Sequence, residues 1–217
     1  MKYRLAIFDL DGTILDTLED LTASTNAALA ANALPGRNLE EVRAFVGNGI
    51  RNLIEKAVPT GTLPAMTDRV FEDFKTHYAV HCADRTCPYP GIPELIRKIR
   101  EAGMKTAVVS NKGDFAVQSL CRDYFEGLLD FAVGEREGIR RKPAPDSVFE
   151  CLRHFDLQVE DAVYIGDSEV DASTAANAGM DLIAVTWGFR SEEVLQGSGA
   201  KVLAHEAAQL EKLLLGE

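Results

Sequence analysis

The sequence predicts an α/β fold: a doubly wound parallel sheet with helices on both faces and a helical segment inserted near the start. Three observations support this prediction. The apolar run Leu5 to Phe8 ends at once in the polar string 9–13, as a buried strand does where it opens into a loop. From residue 16 to about residue 82 no convincing strand occurs, although such connections are normally far shorter. From residue 88 onward, helices and strands alternate regularly.

Residues 16 to 82 are predicted to form a separate helical domain, and residues 1 to 15 and 83 to 217 the sheet domain. Apolar residues at helical spacing define three stripes, which glycine and proline residues separate. A helical hairpin that thickens the core is the alternative, but the length of the segment and its position beside the 9–13 string favour a domain. The stripes are Leu18, Leu21, Thr25, Leu29 and Leu34; Leu39, Val42, Phe45 and Val46; and Val70, Phe71, Phe74 and Tyr78.

Apolar runs and periodic stripes also predict the rest of the sheet domain. Short runs of three to six residues indicate strands, and longer stripes indicate the helices between them. The predicted helices cover 92–102, 115–124, 146–155, a segment ending at 178, and 206–215, and the predicted strands cover 104–109, 131–133, 162–165 and 182–185.

Two carboxylates follow the first strand. Asp9 and Asp11 are two residues apart, so in an extended chain they point to the same side and could share a cation or a reacting group. Gly12 would let the backbone approach a ligand closely. An ordinary Asp-Gly turn is the alternative for this dipeptide taken alone.

Three later strings also follow predicted strands or precede helices. Ser110 and Asn111 offer a hydroxyl, an amide and backbone N–H groups that suit phosphate oxygens. Lys142, fixed beside a proline, is a candidate positive charge for an anion, or else a solvated loop residue. Asp167 and Asp171 add carboxylates at a fourth strand end, where an aspartate could instead cap the next helix.

Together these strings resemble the four motifs of the haloacid dehalogenase (HAD) superfamily, in its phosphatase branch. They occur in the family's order: Asp-x-Asp-Gly-Thr at 9–13, a serine at Ser110, Lys142 followed by proline, and Gly-Asp-Ser-x-x-Asp at 166–171. Because the motifs extend from residue 9 to residue 171, the resemblance covers the whole core. It implies a Rossmann-like core with an inserted helical cap domain, formed here by residues 16 to 82, that selects the leaving group.

The resemblance implies hydrolysis of a phosphate ester. Asp9 would attack phosphorus to give an aspartyl phosphate, and Asp11 would protonate the leaving alkoxide and then deprotonate the hydrolytic water. Carboxylates facing a dianionic substrate require a hard divalent cation, and Mg²⁺ fits. The family pattern assigns the metal to Asp9, the backbone carbonyl of Asp11, and Asp167. Asp171 would orient these ligands or Lys142.

The resemblance also implies the contacts to phosphate. Ser110 and Lys142 would hold the oxygens of the transferring phosphoryl group, and N–H groups near Gly12 and Asn111 would add donors. Thr13 is assigned to the same site, where its hydroxyl would contact the nucleophile or cap the following helix.

The substrate must be recognised by the helical segment. The string 45–51 resembles the cap string of phosphoglycolate phosphatases, and the string 186–188 is similar to one in that group. Backbone N–H groups of Gly47 and Gly49, with Arg51 nearby, could bind a carboxylate; an ordinary turn between helices is the alternative. The resemblance favours 2-phosphoglycolate and leaves pyrophosphate and sugar or nucleoside monophosphates open.

Competing functions differ in testable features. A haloacid dehalogenase needs neither Mg²⁺ nor the second carboxylate, so Asp11 argues against it. A β-phosphoglucomutase shares all four motifs and differs in the cap. A receiver-type phosphoacceptor module also uses carboxylates, Mg²⁺, a hydroxyl and a lysine, but it has no helical insertion after its first strand.

Composition indicates a cytoplasmic enzyme. The 217 residues, 46% of them hydrophobic, suffice for one core and a small accessory domain. The net charge of -11 disfavours nucleic acid or an anionic membrane as partner, and no apolar run reaches membrane length or resembles a signal peptide. The four cysteines lack metal-binding spacing and indicate free thiols. A small-molecule phosphate ester is the expected partner, and the pattern does not distinguish a monomer from a homodimer.

Overall fold

The computed structural model describes residues 2–216, which divide into two compact units. The first contains the residues up to Leu15 and from Pro88 onward, and the second runs from Asp16 to Cys87. In chain order the elements are β1 (Leu5–Phe8), β2 (Leu15–Asp16), α1 (Leu18–Ala31), α2 (Leu39–Phe45), α3 (Gly49–Ala57), α4 (Pro64–His81), β3 (Cys87–Pro88), α5 (Ile92–Glu101), β4 (Lys105–Gly113), α6 (Asp114–Phe125), β5 (Phe131–Glu135), α7 (Asp146–Phe155), β6 (Ala162–Gly166), α8 (Glu169–Ala178), β7 (Asp181–Val185), α9 (Glu192–Gly197), β8 (Leu203–Ala204) and α10 (Ala207–Leu215).

The first unit is built on a six-stranded sheet in the order β5-β4-β1-β6-β7-β8. The strand pairings are parallel, and β1 lies between β4 and β6. Phe8, the last residue of β1, is level with Val108 of β4 and Ile165 of β6. Because parallel strands end at the same edge of a sheet, the residues after these three positions lie side by side. The doubly wound parallel sheet predicted from the sequence is confirmed.

Apolar burial holds these strand ends in place. The four residues of β1 are completely buried, as a strand covered on both faces requires. Helix α5 turns Leu95, Ile96 and Ile99 into the core at helical spacing. Full burial of one such side chain contributes about 1.5–3 kcal/mol. The sheet is therefore a rigid support for the polar side chains at its edge.

Strand β4 is longer than the sequence predicts. The apolar run ends at Val109, but the strand continues to Gly113, with a shift of register against β5 between these residues. Ser110, Asn111 and Lys112 are buried although they are polar. Because the prediction followed apolar residues, it ended the strand too early. It also missed α9 and β8, which are too short to show a periodicity.

The second unit contains α1 to α4, and α1 packs against α4. Helices α1, α2 and α4 coincide with the three apolar stripes, although Leu34 lies beyond the end of α1 and Val46 beyond the end of α2. Asn38 caps α2: its side chain accepts a hydrogen bond from the Glu41 N–H, and the Glu41 carboxylate accepts one from the Asn38 N–H. The residues buried in this unit include Leu21, Leu29, Val42, Phe74 and Tyr78.

A buried carboxylate explains why the second unit continues to Cys87, beyond the predicted residue 82. Asp20 of α1 is 2% exposed and accepts hydrogen bonds from the backbone N–H groups of Arg85, at 3.0 Å, and Thr86, at 2.8 Å. The Thr86 hydroxyl donates to the same carboxylate at 2.8 Å. These bonds attach the residues that follow α4 to α1, and no apolar pattern signals them.

Among the described residues, no helix is both long and apolar enough to cross a membrane. The four cysteines, Cys82, Cys87, Cys121 and Cys151, are free thiols. Burial raises the pKa of both Cys121 and Cys151 to about 12. These two thiols therefore stay protonated at neutral pH and are poor nucleophiles.

Candidate active site

Asp9 and Asp11 follow β1 at the edge where the strand ends meet. The Asp9 N–H donates to the carbonyl of Ile165 at 2.8 Å, so the pairing with β6 continues one residue beyond β1. Gly12 then turns the chain with a φ of +82°. A β-carbon at Gly12 would lie 2.3 Å from Asp167 Oδ2. Glycine is therefore what allows the 9–13 loop to approach this carboxylate.

Three buried carboxylates converge at this edge. Asp9, Asp167 and Asp171 each place an oxygen within 4.8 Å of the others. Lys142 Nζ lies 2.9 Å from Asp9 Oδ1 and 2.8 Å from Asp171 Oδ1. The same ammonium donates to the Tyr164 hydroxyl at 3.0 Å. With three carboxylates and one ammonium, negative charge is in excess within this group.

Burial and mutual repulsion perturb these groups. Burial raises the pKa of Asp9 to about 6; the Lys142 ammonium opposes this effect and Asp171 adds to it. Burial, Asp171 and Asp9 hold the pKa of Asp167 well above its ordinary value. Burial alone would lower the pKa of Lys142, but the two facing carboxylates raise it well above its ordinary value. A bound cation would offset the remaining repulsion.

The donor set fits a hard divalent cation, because carboxylate oxygens are its preferred protein ligands. Asp171 is the least available of the three. Its Oδ1 accepts from Lys142, and its Oδ2 accepts from the Ser168 N–H at 3.1 Å and the Ser168 hydroxyl at 2.6 Å. Asp167 accepts two hydrogen bonds, from Thr13 and Phe189, against three at Asp171. Asp9 and Asp167 are therefore better suited to a metal than Asp171, which contacts Lys142.

The buried end of β4 supplies three polar side chains to the same edge. Ser110 is 7% exposed, and its hydroxyl accepts from the Lys112 N–H at 3.3 Å. Asn111 Nδ2 donates to the backbone carbonyl of Lys142 at 3.0 Å, which fixes the segment that carries the ammonium. Lys112 Nζ donates to Asp11 Oδ1 at 2.8 Å. No role is predicted for Lys112 from the sequence.

The surroundings of Asp167 include two further residues for which the sequence predicts no role. The Phe189 N–H donates to Asp167 Oδ2 at 2.6 Å. A β-carbon at Gly188 would lie 2.3 Å from the Gly12 carbonyl oxygen and 2.4 Å from Asp167 Cβ. The string 186–188 was the only indication of this region in the sequence. Gly188 packs closely on the backbone of the 9–13 loop, and residue types do not reveal such packing.

Thr13, which is predicted to belong to the phosphate site, contacts Asp167. It is fully buried, and its hydroxyl donates to Asp167 Oδ1 at 3.3 Å. Its carbonyl accepts from Trp187 Nε1 at 3.0 Å. Helix α1 begins only at Leu18, with Thr17 at its N-cap position. Thr13 is therefore placed to orient Asp167 rather than to cap this helix.

Gly49 and Arg51 lie in the second unit and are not part of the carboxylate cluster. Gly49 is the first residue of α3, with a φ of +79°. Arg51 Nη2 donates to Asp68 Oδ1 at 2.5 Å, and Arg51 Nε lies 3.7 Å from Glu55 Oε1. The guanidinium also lies over the Phe71 ring, 4.9 Å from its centroid. The side chain predicted to bind a substrate carboxylate is already paired with carboxylates of its own unit.

Comparison with known proteins identifies the family. The family model described as haloacid dehalogenase-like hydrolase matches residues 6–185, which include all four motifs. The protein belongs to the haloacid dehalogenase-like hydrolases, the superfamily that its motifs resemble.

Individual relatives define the protein more closely. A phosphoglycolate phosphatase from Mesorhizobium japonicum is 34% identical over 211 residues, which cover 94% of this chain and 92% of that protein. One from Rhodobacter capsulatus is 34% identical and covers 85% and 84% of the two chains. A crystal structure from Lactobacillus delbrueckii subsp. bulgaricus, provisionally assigned as a phosphoglycolate phosphatase, is 43% identical with a TM-score of 0.95 and covers 100% of both chains. Within its family, the protein is a phosphatase similar to phosphoglycolate phosphatases.

Proposed function

We propose that the protein hydrolyses 2-phosphoglycolate to glycolate and phosphate through a phosphorylated Asp9, with Mg²⁺ as its metal. The observation that carries this proposal is the contact of Asp9 with Lys142 inside the buried carboxylate cluster, two residues before Asp11. A carboxylate held in this way can attack a phosphoryl group whose oxygens the same ammonium attracts.

The reaction has two halves. In the first, a carboxylate oxygen of Asp9 bonds to phosphorus, the bond from phosphorus to the leaving oxygen breaks, and Asp11 gives that oxygen its proton. In the second, water attacks the same phosphorus and gives a proton to Asp11, and the bond to Asp9 breaks to release phosphate. A general acid and base of this kind contributes about 10²- to 10⁴-fold in rate.

The phosphoryl oxygens are assigned to Ser110 and Lys142, which reach the same sheet edge from different segments. Both are buried, so their hydrogen bonds to a bound phosphate are protected from water. Asn111 supports Lys142 through its bond to the Lys142 carbonyl. Prepositioned donors stabilise the charge that develops on phosphorus without reorganising during the reaction.

The metal is assigned to Asp9, Asp167 and the backbone carbonyl of Asp11. When bound, Mg²⁺ neutralises charge on the phosphoryl oxygens. The excess negative charge of the cluster and the oxygen donors of Asp9 and Asp167 support this assignment. Thr13 and Phe189 hold the Asp167 carboxylate by donating to its two oxygens.

Selection of 2-phosphoglycolate is assigned to the second unit, which is proposed to act as the cap. The names of the relatives support this substrate. Gly49 and Arg51, at the start of α3, are proposed to bind the carboxylate of the substrate. Arg51 would then exchange Asp68 for the substrate. This exchange costs little, because an exposed ion pair contributes at most about 1 kcal/mol.

A substrate panel tests the proposed reaction. Release of free phosphate is compared by kcat/KM for 2-phosphoglycolate, pyrophosphate, β-glucose 1-phosphate, nucleoside monophosphates and an aryl phosphate. We expect many turnovers and the highest value for 2-phosphoglycolate. Higher values for another substrate would contradict the assignment of 2-phosphoglycolate. Release of no more than one phosphate per chain would indicate a phosphoacceptor module instead.

Variants test the assigned residues. Asp9→Asn should abolish turnover, and Asp11→Asn should slow or trap the phosphorylated enzyme. EDTA should stop the reaction and Mg²⁺ restore it, and Asp167→Ala should raise the Mg²⁺ concentration needed for half of the maximal rate. Activity close to that of the wild type in Asp9→Asn, or full activity in EDTA, would contradict the mechanism.

We also propose a cytoplasmic location. The four cysteines are free thiols, and three of them are buried. Free thiols persist in reducing compartments, whereas secreted chains of this cysteine content more often form disulfides.

A further inference from the structure

We propose that Lys112 is a positioning residue that holds the Asp11 carboxyl group in one orientation through both halves of the reaction. The inference rests on the proposed function, in which Asp11 moves the proton. It concerns a residue outside the four motifs, since the motif at the end of the second strand is assigned to Ser110.

The contact between Lys112 and Asp11 is short and buried. Lys112 Nζ lies 2.8 Å from Asp11 Oδ1, and the two side chains are 2% and 14% exposed. A lysine is rarely buried unless it is paired, because its ammonium loses its hydration. The pair joins the loop after β1 to the end of β4, and its two residues are 101 positions apart in the chain.

Lys112 is itself held in place on the other side. It lies within β4, and its backbone N–H donates to the Ser110 hydroxyl at 3.3 Å. Asp11, by contrast, lies in the loop just before Gly12, which has a positive φ. A carboxylate in a loop can rotate about two side-chain bonds, and a fixed donor on a strand restricts both. The buried Lys112 side chain therefore restrains the Asp11 carboxyl group from the end of β4.

The geometry suits both protonation states of Asp11. The lysine contacts Oδ1, and a carboxyl group that carries its proton on Oδ2 still accepts a hydrogen bond at Oδ1. In the first half, Oδ2 gives its proton to the leaving oxygen as the bond from that oxygen to phosphorus breaks. In the second, Oδ2 takes a proton from the attacking water as the bond from phosphorus to Asp9 breaks. One contact can thus serve both proton transfers.

The role differs from that of Lys142. Lys142 contacts Asp9 and Asp171 and is assigned to the phosphoryl oxygens. Loss of Lys142 should harm every phosphate ester, because all of them carry the same phosphoryl group. Loss of Lys112 should harm most those esters whose leaving oxygen requires a proton.

The test compares Lys112→Met with the wild type on two esters, 2-phosphoglycolate and 4-nitrophenyl phosphate. The value of kcat/KM reports formation of the phosphorylated enzyme. The alkoxide of the first ester needs a proton to leave, whereas 4-nitrophenolate does not. We expect kcat/KM to fall about 10- to 100-fold for 2-phosphoglycolate, as misplacement of a catalytic group by about 1 Å can cost. For 4-nitrophenyl phosphate it should change less than about threefold.

A second readout comes from the same variant. Hydrolysis of the phosphorylated enzyme also needs Asp11, so this step should become rate-limiting with 4-nitrophenyl phosphate. Both kcat and KM should then fall together, with a burst of 4-nitrophenolate close to one per active site. A lysine that served only the fold would give neither the burst nor the dependence on the leaving group.

Three further variants complete the design. Arg100→Met breaks a partly buried ion pair with Asp130, 2.6 Å long, near the opposite end of β4, and should leave the ratio of the two kcat/KM values unchanged. Lys112→Arg keeps a charged donor, so its kcat/KM for 2-phosphoglycolate should fall less than that of Lys112→Met. If Lys112→Met does not fold, Lys112→Arg is compared with the wild type on the same two esters. In the Asp11→Asn background, Lys112→Met should have no further effect on 2-phosphoglycolate.

Equal losses on both esters, or an undiminished effect in the Asp11→Asn background, would overturn the role of Lys112. A wild-type protein that hydrolyses neither ester would instead refute the proposed function. The two failures are therefore distinct.

Discussion

Tyr164→Phe measures what one buried hydroxyl contributes to the sheet beneath the site. The Tyr164 hydroxyl donates to the Val109 carbonyl of β4 at 3.0 Å and accepts from Lys142 Nζ at 3.0 Å. The ring is fully buried. The substitution removes one oxygen atom and keeps the packing of the ring, so its effect isolates these two hydrogen bonds.

The expected magnitude follows from the partners that remain. Lys142 keeps its ion pairs with Asp9 and Asp171, so losing the Tyr164 hydroxyl as a partner costs it little free energy. The Val109 carbonyl loses a buried donor, and removing one partner of a buried hydrogen bond costs about 1–3 kcal/mol. We expect the free energy of unfolding to fall by about 2 kcal/mol. For a chain of this length the corresponding decrease in Tm is about 4–8 °C.

Fluorescence of Trp187 provides the assay. It is the only tryptophan of the chain and lies in the first unit, so its signal in urea reports the unfolding of that unit. The control is Tyr3→Phe. The Tyr3 hydroxyl donates to Asp181, whose side chain is 56% exposed, so water can replace the lost bond and the change should stay within about 0.5 kcal/mol. Equal changes in both variants, or none in Tyr164→Phe, would refute the reasoning.

Three other predictions concern single residues. Gly188→Ala should raise the Mg²⁺ concentration needed for activity, because the new β-carbon would meet the Gly12 backbone and Asp167; Gly197→Ala, with open space around it, should not. Arg51→Ala should lower kcat/KM for 2-phosphoglycolate about 10- to 150-fold, the loss of one charge-assisted contact, and spare an aryl phosphate. Exposed Arg69→Ala is its control, and equal losses on both substrates would assign Arg51 to folding alone. Burial would raise the pKa of Asp130, but the Thr106 N–H and Arg100 lower the pKa overall. The ionised Asp130 carboxylate therefore contributes stability above about pH 4, and this contribution is lost as the pH falls through the lower native pKa. Urea unfolding between pH 5 and pH 2.5 should therefore show a shallower acid decline in Asp130→Asn than in the wild type, and parallel curves would contradict this.

The fold was predictable because its signals are local. The run Leu5 to Phe8 is uniformly apolar and ends at a carboxylate, so β1 is visible from the chain alone. Helix α7 matches its predicted range, 146–155, because its apolar stripe lies between clear boundaries. The end of β4 was not predictable, since Ser110 to Lys112 are polar residues that become buried only in the assembled sheet.

The site was predictable in part for a related reason. Parallel strands bring residues after their ends together, so Asp9, Ser110 and Asp167 could be expected at one edge. Lys142 does not follow a strand end directly, and only the resemblance to the family predicted its place there. The contacts that orient these groups join residues that are far apart in the chain and meet only in the folded protein. Tyr164 bonds the carbonyl of Val109, and Gly188 packs on the backbone of Gly12. Residue types alone do not reveal either contact.

The central position of β1 in the sheet also determines at which stage of folding the site can form. Its groups come from distant parts of the chain: Thr13 and Asp167 are 154 positions apart, and Asp11 and Lys112 are 101 apart. Contacts of such long range form slowly, because the chain must close large loops before they stabilise it. Helices such as α1 need only neighbouring residues. In refolding from denaturant, helical signal should therefore return first, and the arrangement around Asp9 only after β1 has gained both neighbouring strands.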